Sequence, residues 1–150
     1  MVDVSTKEVT RRRAEADGEI RMQRATLDAV LANTVRKGDV LTVARLAAVG
    51  GAKRTADLVP LCHPLTLDGI DVEIVPIPEL PGIRLNVAVT TEGRTGVEME
   101  AMCAVSAGLL AVYDMCKAMD RGMEVGPVRL VSKTGGASGE WHREDPPVEL

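Results

Sequence analysis

With 150 residues the chain is long enough for one domain with its own core. A net charge of −4, from 18 basic and 22 acidic residues, argues against a whole-chain binder of nucleic acid or of an anionic membrane surface. Apolar residues make up 45% but aromatics only 1%, with no Phe, so the core must come from Val, Leu, Ile, Met and Ala, and subunit contacts are expected to share in stability.

Residues 1–10 read as weakly ordered. Over 13–22, Ala14, Ala16, Gly18, Ile20 and Met22 alternate with charged residues, which predicts a strand. Leu27, Val30, Leu31 and Val35 then recur at helical spacing, and Lys37-Gly38 supplies a C-cap. Asp39 is an N-cap for a second helix over 40–58, which Pro60 stops. Gly50-Gly51 within it implies close approach of another backbone, or a break. Residues 67–77 and 83–91 alternate as two strands of a hairpin. The longest helix is predicted over 97–121, with Thr95 and Glu98 at capping-box spacing. A last strand over 125–133 leads into "KTGGASG", a glycine-rich loop, and a weakly ordered tail over 142–150. The order predicts one α+β domain over 1–150, a ferredoxin-like plait with a four-stranded antiparallel sheet and helices on one face.

The three cysteines, Cys62, Cys103 and Cys116, lack metal or redox spacing. The polar, charged N-terminus does not read as a signal peptide. No apolar run approaches about 18 uncharged residues. A cytoplasmic protein with reduced thiols and no metal site is expected.

Four features carry chemistry. Arg36, Lys37, Arg45, Lys53 and Arg54 crowd one segment, a basic pocket better suited to a small anion than to a polymer. "VPLCHPL" fixes Cys62 and His63 between Pro60 and Pro64, so thiol and imidazole keep one direction. On the long helix, Ala104, Ala107, Ala111, Asp114 and Ala118 share a face with Glu100, a surface open to close approach by another element or subunit. Asp114 and Lys117, one turn apart on it, are expected to be semi-buried and able to exchange protons with a substrate. Glu100 and Asp114 stand about 21 Å apart along the axis, so they cannot form one dyad within a chain.

Together, "MVDVS", "KGDVLTVARLA", "AKRTADLVPLCHPL", "TGVEMEAM", "VYDMCKAMD", "GPVRL" and "SKTGGASG" resemble, in the same order, the MoaC family of molybdenum-cofactor biosynthesis, the cyclic pyranopterin monophosphate synthases. The likeness runs from Met1 to about Trp141. It implies a lyase acting on a GTP-derived substrate, (8S)-3′,8-cyclo-7,8-dihydroguanosine 5′-triphosphate. A radical enzyme supplies that compound, and the lyase converts it to the cyclic pterin monophosphate and pyrophosphate. It implies a homohexamer, a trimer of dimers with active sites at dimer interfaces. No resident cofactor is implied, and a divalent cation with the triphosphate is left open.

Carried over by motif, the catalytic residues fall on Asp114, Lys117 and Lys37. Substrate-binding residues fall on Leu61, Cys62, His63, Met99 and Glu100, with Lys53 and Lys133 as triphosphate contacts. Arg11, Arg12 and Arg13 each fit the family's N-terminal arginine. Ala137 stands where the family's loop often has a basic residue. Two other classes compete: a nucleotide-binding module without turnover, and a nucleic-acid binder, which the acidic balance and scarcity of aromatics disfavour.

Overall fold

Strict alternation turns one face of β1 (Thr10–Arg21) inward. Ala14, Ala16 and Ile20 are buried while Arg13, Glu15 and Asp17 face out. In the computed structural model, which describes residues 1–144, β1 lies at the centre of an antiparallel sheet with strand order β2-β3-β1-β4-β5. The other strands are β2 (Gly69–Ile77), β3 (Gly82–Gly93), β4 (Glu124–Thr134) and β5 (Trp141–His142). The four predicted strands are present. The fifth is a two-residue addition along β4, pairing Lys133 with Trp141, where the sequence shows no strand periodicity. Residues 145–150 of the expected weakly ordered tail lie outside the described residues.

The helices α1 (Arg24–Leu31), α2 (Val40–Lys53), α3 (Thr55–Leu58) and α4 (Glu98–Cys116) complete the α+β plait. α4 packs on β1, β3 and β4, and α2 packs on α4 and β2. Val105, Leu109 and Val112 of α4 are fully buried, each stabilising the fold by about 1.5–3 kcal/mol. By length and composition alone α4 could cross a membrane, but here its apolar residues form the core of the plait. The opposite sheet face is charged and cross-linked, with Arg129 on Asp17 at 2.8 Å and Arg84 on Glu19 at 3.0 Å.

Three helix C-terminal ends and one N-cap differ from the sequence pattern. α1 stops at Leu31 because Asn33 takes a left-handed φ of 53°, ending the helix before Val35 and Gly38. Asp39 caps α2 as expected, accepting from Thr42 N at 3.0 Å. α2 then ends at Lys53 rather than at residue 58, as Thr55 Oγ1 donates to the Ala52 carbonyl at 3.0 Å and a new short turn begins. α4 stops at Cys116, five residues before the expected end. Just beyond it, Asp120 turns inward to accept from Gln23 N (2.8 Å) at the start of α1. Its predicted capping box is not formed, since Val97 holds the N-cap position without a side-chain bond.

The small-residue face of α4 is covered in part from within the chain, around Ala107. A Cβ on Gly51 would stand 2.6 Å from Ala107 Cβ and 2.8 Å from the Cys103 carbonyl, so glycine is required for α2 to approach. Gly108 in turn lies beneath Ala44 and Ala48 of α2. The close approach expected at Gly50-Gly51 is therefore real at Gly51, with α4 of the same chain as its partner, while a Cβ on Gly50 would meet nothing within 4 Å.

Candidate active site

α2 runs antiparallel to α4, with Gly51 opposite Cys103 and Ala107, and Ala44 and Ala48 opposite Gly108. The turn entering α2 thus lies against the last turn of α4, and the α2–α3 break lies toward the first. Two clusters result, one at each end of α4.

At the C-terminal end, Asp114 is clasped by two lysines. Lys37 Nζ lies 2.7 Å from Oδ2 and Lys117 Nζ 2.7 Å from Oδ1, and Lys37 also donates to the Asp114 carbonyl at 3.1 Å. Lys37 reaches there because Asp39 caps α2 immediately after the Gly38 turn, where φ is +109°. The side-chain bonds from Lys117 and Lys37 hold the Asp114 carboxyl down to about 2, and Asp114 in turn raises Lys117. The cluster is open to solvent, with half of each side chain exposed, rather than semi-buried as the alanine face suggested. The reason is the early end of α4, which leaves Asp114 and Lys117 on its outer rim.

At the N-terminal end, Glu100 is 3% exposed, and its Oε2 has no hydrogen-bond partner among the described residues. Burial pushes its carboxyl up, toward the neutral form. Cys62 belongs to this end: burial raises its thiol, with Glu100, Cys103 and Glu98 adding to the shift. His63 is half-buried beside it, near enough to Asp3 to help lower that carboxyl, whose main cause is the bond from Ser5 N. Leu61 (72% exposed) and Met99 (37%) project outward. Lys133, from β4, lies 4.0 Å from Glu98 and donates to Ser138 of the glycine-rich loop. Lys53, exposed at the end of α2, borders a separate cavity of about 440 Å³ lined by Val49, the segment before β2 and the first residues of β2.

One chain therefore brings Lys37, Asp114 and Lys117 together. It places Glu100 about 21 Å away along the helix axis, with Cys62, His63, Met99 and Lys133 toward that other end. Among the described residues no group of three or more His, Cys, Asp or Glu side chains could hold a metal ion.

The geometry also separates the three arginines. Arg13 binds Glu15 at 2.8 Å and faces Asp71 on the outer sheet surface. Arg12 turns to the helix side, donates to the Gly93 carbonyl at 3.1 Å, and has its guanidinium where a Cβ of Gly136 would stand. Strand parity carries this signal, since Arg12 is in phase with the inward Ala14 and Ala16. Glu98, read as half of a capping box, is instead the carboxylate facing Lys133.

The chain matches the model of the MoaC family over residues 1–136. It is similar to cyclic pyranopterin monophosphate synthases of Brucella ovis, Brucella melitensis and Brucella canis, each 51% identical over 146 residues, covering 97% of this chain and 88% of the relative.

Proposed function

The chain belongs to the MoaC family, and from that premise we infer that it is an enzyme of molybdenum-cofactor biosynthesis, a cyclic pyranopterin monophosphate synthase. It acts as a lyase on the 3′,8-cyclised dihydroguanosine triphosphate, forming the cyclic pterin monophosphate and releasing pyrophosphate. The observation that carries a chemical role is the Asp114 carboxylate held between two ammonium groups at 2.7 Å each. A carboxylate so held stays ionised at neutral pH, and Lys117 stays charged.

In this reading the substrate's phosphates draw Lys37 and Lys117 from Asp114. Its carboxyl then rises toward the ordinary range, where it can take and return a proton as the ring opens and re-closes. Lys37 and His63 neutralise charge during phosphate attack and pyrophosphate loss. The buried Glu100, with its free oxygen, is suited to pair with polar edges of the guanine-derived ring. Arg12 and Lys133, with Lys53 at the α2 end, supply the phosphate grip.

The two clusters need a second copy to meet. A two-fold axis crossing α4 near residue 107, midway between Glu100 and Asp114, would set one copy's acidic first turn against the partner's lysines. Leu46 (66% exposed) and Leu110 (60%) stand on the outward faces of α2 and α4, where such a copy would cover them. We place the enzyme as a homo-oligomer, a trimer of such dimers, in the cytoplasm, where its three free thiols stay reduced. No resident cofactor enters this reading; any divalent cation arrives with the triphosphate.

The test is incubation with the cyclised nucleotide and detection of a cyclic phosphate and pyrophosphate. Binding without turnover would replace the enzyme by a nucleotide-binding module. Full single-turnover activity in both Asp114→Asn and Lys117→Ala would end the acid–base assignment.

A further inference from the structure

Trp141 is the chain's one tryptophan, and its aromatic partners are few: one Tyr and no Phe. It is 40% exposed and is not among the side chains packed against the core. Its place is nevertheless fixed. β5 pairs Trp141 with Lys133 and His142 with Ser132, and Arg143 N donates to the Val131 carbonyl at 2.8 Å.

Directly opposed residues of an antiparallel pair share a sheet face. Lys133 is opposed by buried Ala14 on its other side, so Lys133 and Trp141 both stand on the helix side. Arg12, in phase with Ala14, stands there too. The indole thus borders the ground held by Arg12, Lys133, Ser138 and Glu98. The Arg143 guanidinium lies 5.9 Å from the ring centroid, with its Nε bonded to the Leu130 carbonyl at 2.7 Å. One ring face is thereby occupied by a cation and the ring's orientation set, while the exposed remainder is available to a ligand.

We propose that Trp141 is a substrate-binding residue, an aromatic platform on which the heterocycle of the guanine-derived substrate stacks while Arg12 and Lys133 hold its phosphates. Arg143 is the positioning residue behind it. This rests on the function proposed above and adds a recognition element to that site. A flat heterocycle is the ligand class, because phosphate alone gains nothing from an indole face.

The experiment uses the full chain in its native assembly. Trp141→Ala and Trp141→Phe are assayed on the cyclised nucleotide. Emission of the wild-type protein, excited where Tyr113 does not absorb, is followed with GTP and with inorganic triphosphate. The expected result is a KM raised about tenfold in Trp141→Ala, in line with the loss of one base–aromatic stack, with kcat within about twofold and most of the loss restored by Phe. GTP should quench the indole and triphosphate should not. An unchanged KM in Trp141→Ala overturns the proposal. So does equal quenching by both anions, or no quenching by GTP at concentrations that inhibit turnover. A wild-type protein without turnover would instead sink the enzyme reading itself, so the two failures are separable.

Discussion

The two ends of α4 are built on opposite electrostatic plans. At the C-terminal end a carboxylate is exposed and paired twice, so its charged form is favoured and its carboxyl sits at about 2. At the N-terminal end a carboxylate is buried with one oxygen unpartnered, so its charged form is disfavoured. The same side-chain chemistry is tuned in opposite directions by solvent and partners, toward the ionised form at one end and toward the neutral form at the other.

The largest expected effect comes from breaking the exposed end. Asp114→Asn should lower kcat by about 10²–10⁴-fold, the range for loss of a positioned acid–base group. Its Tm should stay close to wild type, because the pair is solvent-exposed. Single-turnover kinetics and a melting curve on the same sample check both. A large Tm loss with normal kcat would assign the clasp to folding instead. Lys117→Ala should follow with about 10²-fold, and Lys117→Arg should restore only part of it, since a planar fork does not reproduce a point ammonium.

Between the two ends lies the α2–α4 contact, which sets their spacing. Gly51→Ala should destabilise the fold by about 1–3 kcal/mol, as the added methyl meets Ala107 Cβ and the Cys103 carbonyl. Denaturant unfolding measures this, and a neutral result would mean that α2 can slide.

The smallest effect distinguishes the carboxyls by pH. For Asp114 the folded value lies below its ordinary 3.8, so the clasp's stabilisation is present above that value and lost only as pH falls through about 2. An acid limb of kcat/KM at milder pH, which reports the free enzyme, therefore belongs to another group. For Glu100 the folded value lies above its ordinary 4.5, so its destabilisation is absent below that value and grows as pH rises toward the raised one. Glu100→Gln should raise Tm slightly at neutral pH and lose that advantage in acid. A pH series of melting curves decides it, and an advantage persisting below pH 4.5 would remove burial as the cause.

Much of this was legible in the sequence, for identifiable reasons. Alternation gave β1 to β3 because these strands turn one set of side chains inward, helical spacing gave α1 and α4 because each buries one stripe, and α2 was legible from its Asp39 cap. Helix ends were less legible: α1 stops at the left-handed Asn33, the α2–α3 break follows the local bond of Thr55 to Ala52, and the turn after α4 has a distant partner, Asp120 accepting from Gln23 N. The Asp114–Lys117 pair was visible as an i,i+3 spacing. Lys37 was brought to it only by a resemblance, because 77 residues separate it from Asp114 and only the antiparallel packing of α2 on α4 joins them. The exposure of that cluster was misread because an alanine-lined face suggested cover, whereas α4 ends just past Asp114 and leaves the cluster at the rim. Trp141 had no signal at all, since a two-residue strand has no periodicity.

The claim that both ends work as one site is tested most directly by subunit complementation. A C-terminal-end variant, Asp114→Asn, and an N-terminal-end variant, His63→Ala with Glu100→Gln, are each purified inactive, then dissociated and reassociated together. Statistical mixing should recover about a quarter of wild-type turnover, because half of the dimers are mixed and each mixed dimer carries one intact site. A mixture as inactive as its components, despite verified subunit exchange, would mean that the two ends belong to the site of a single chain or to no common site.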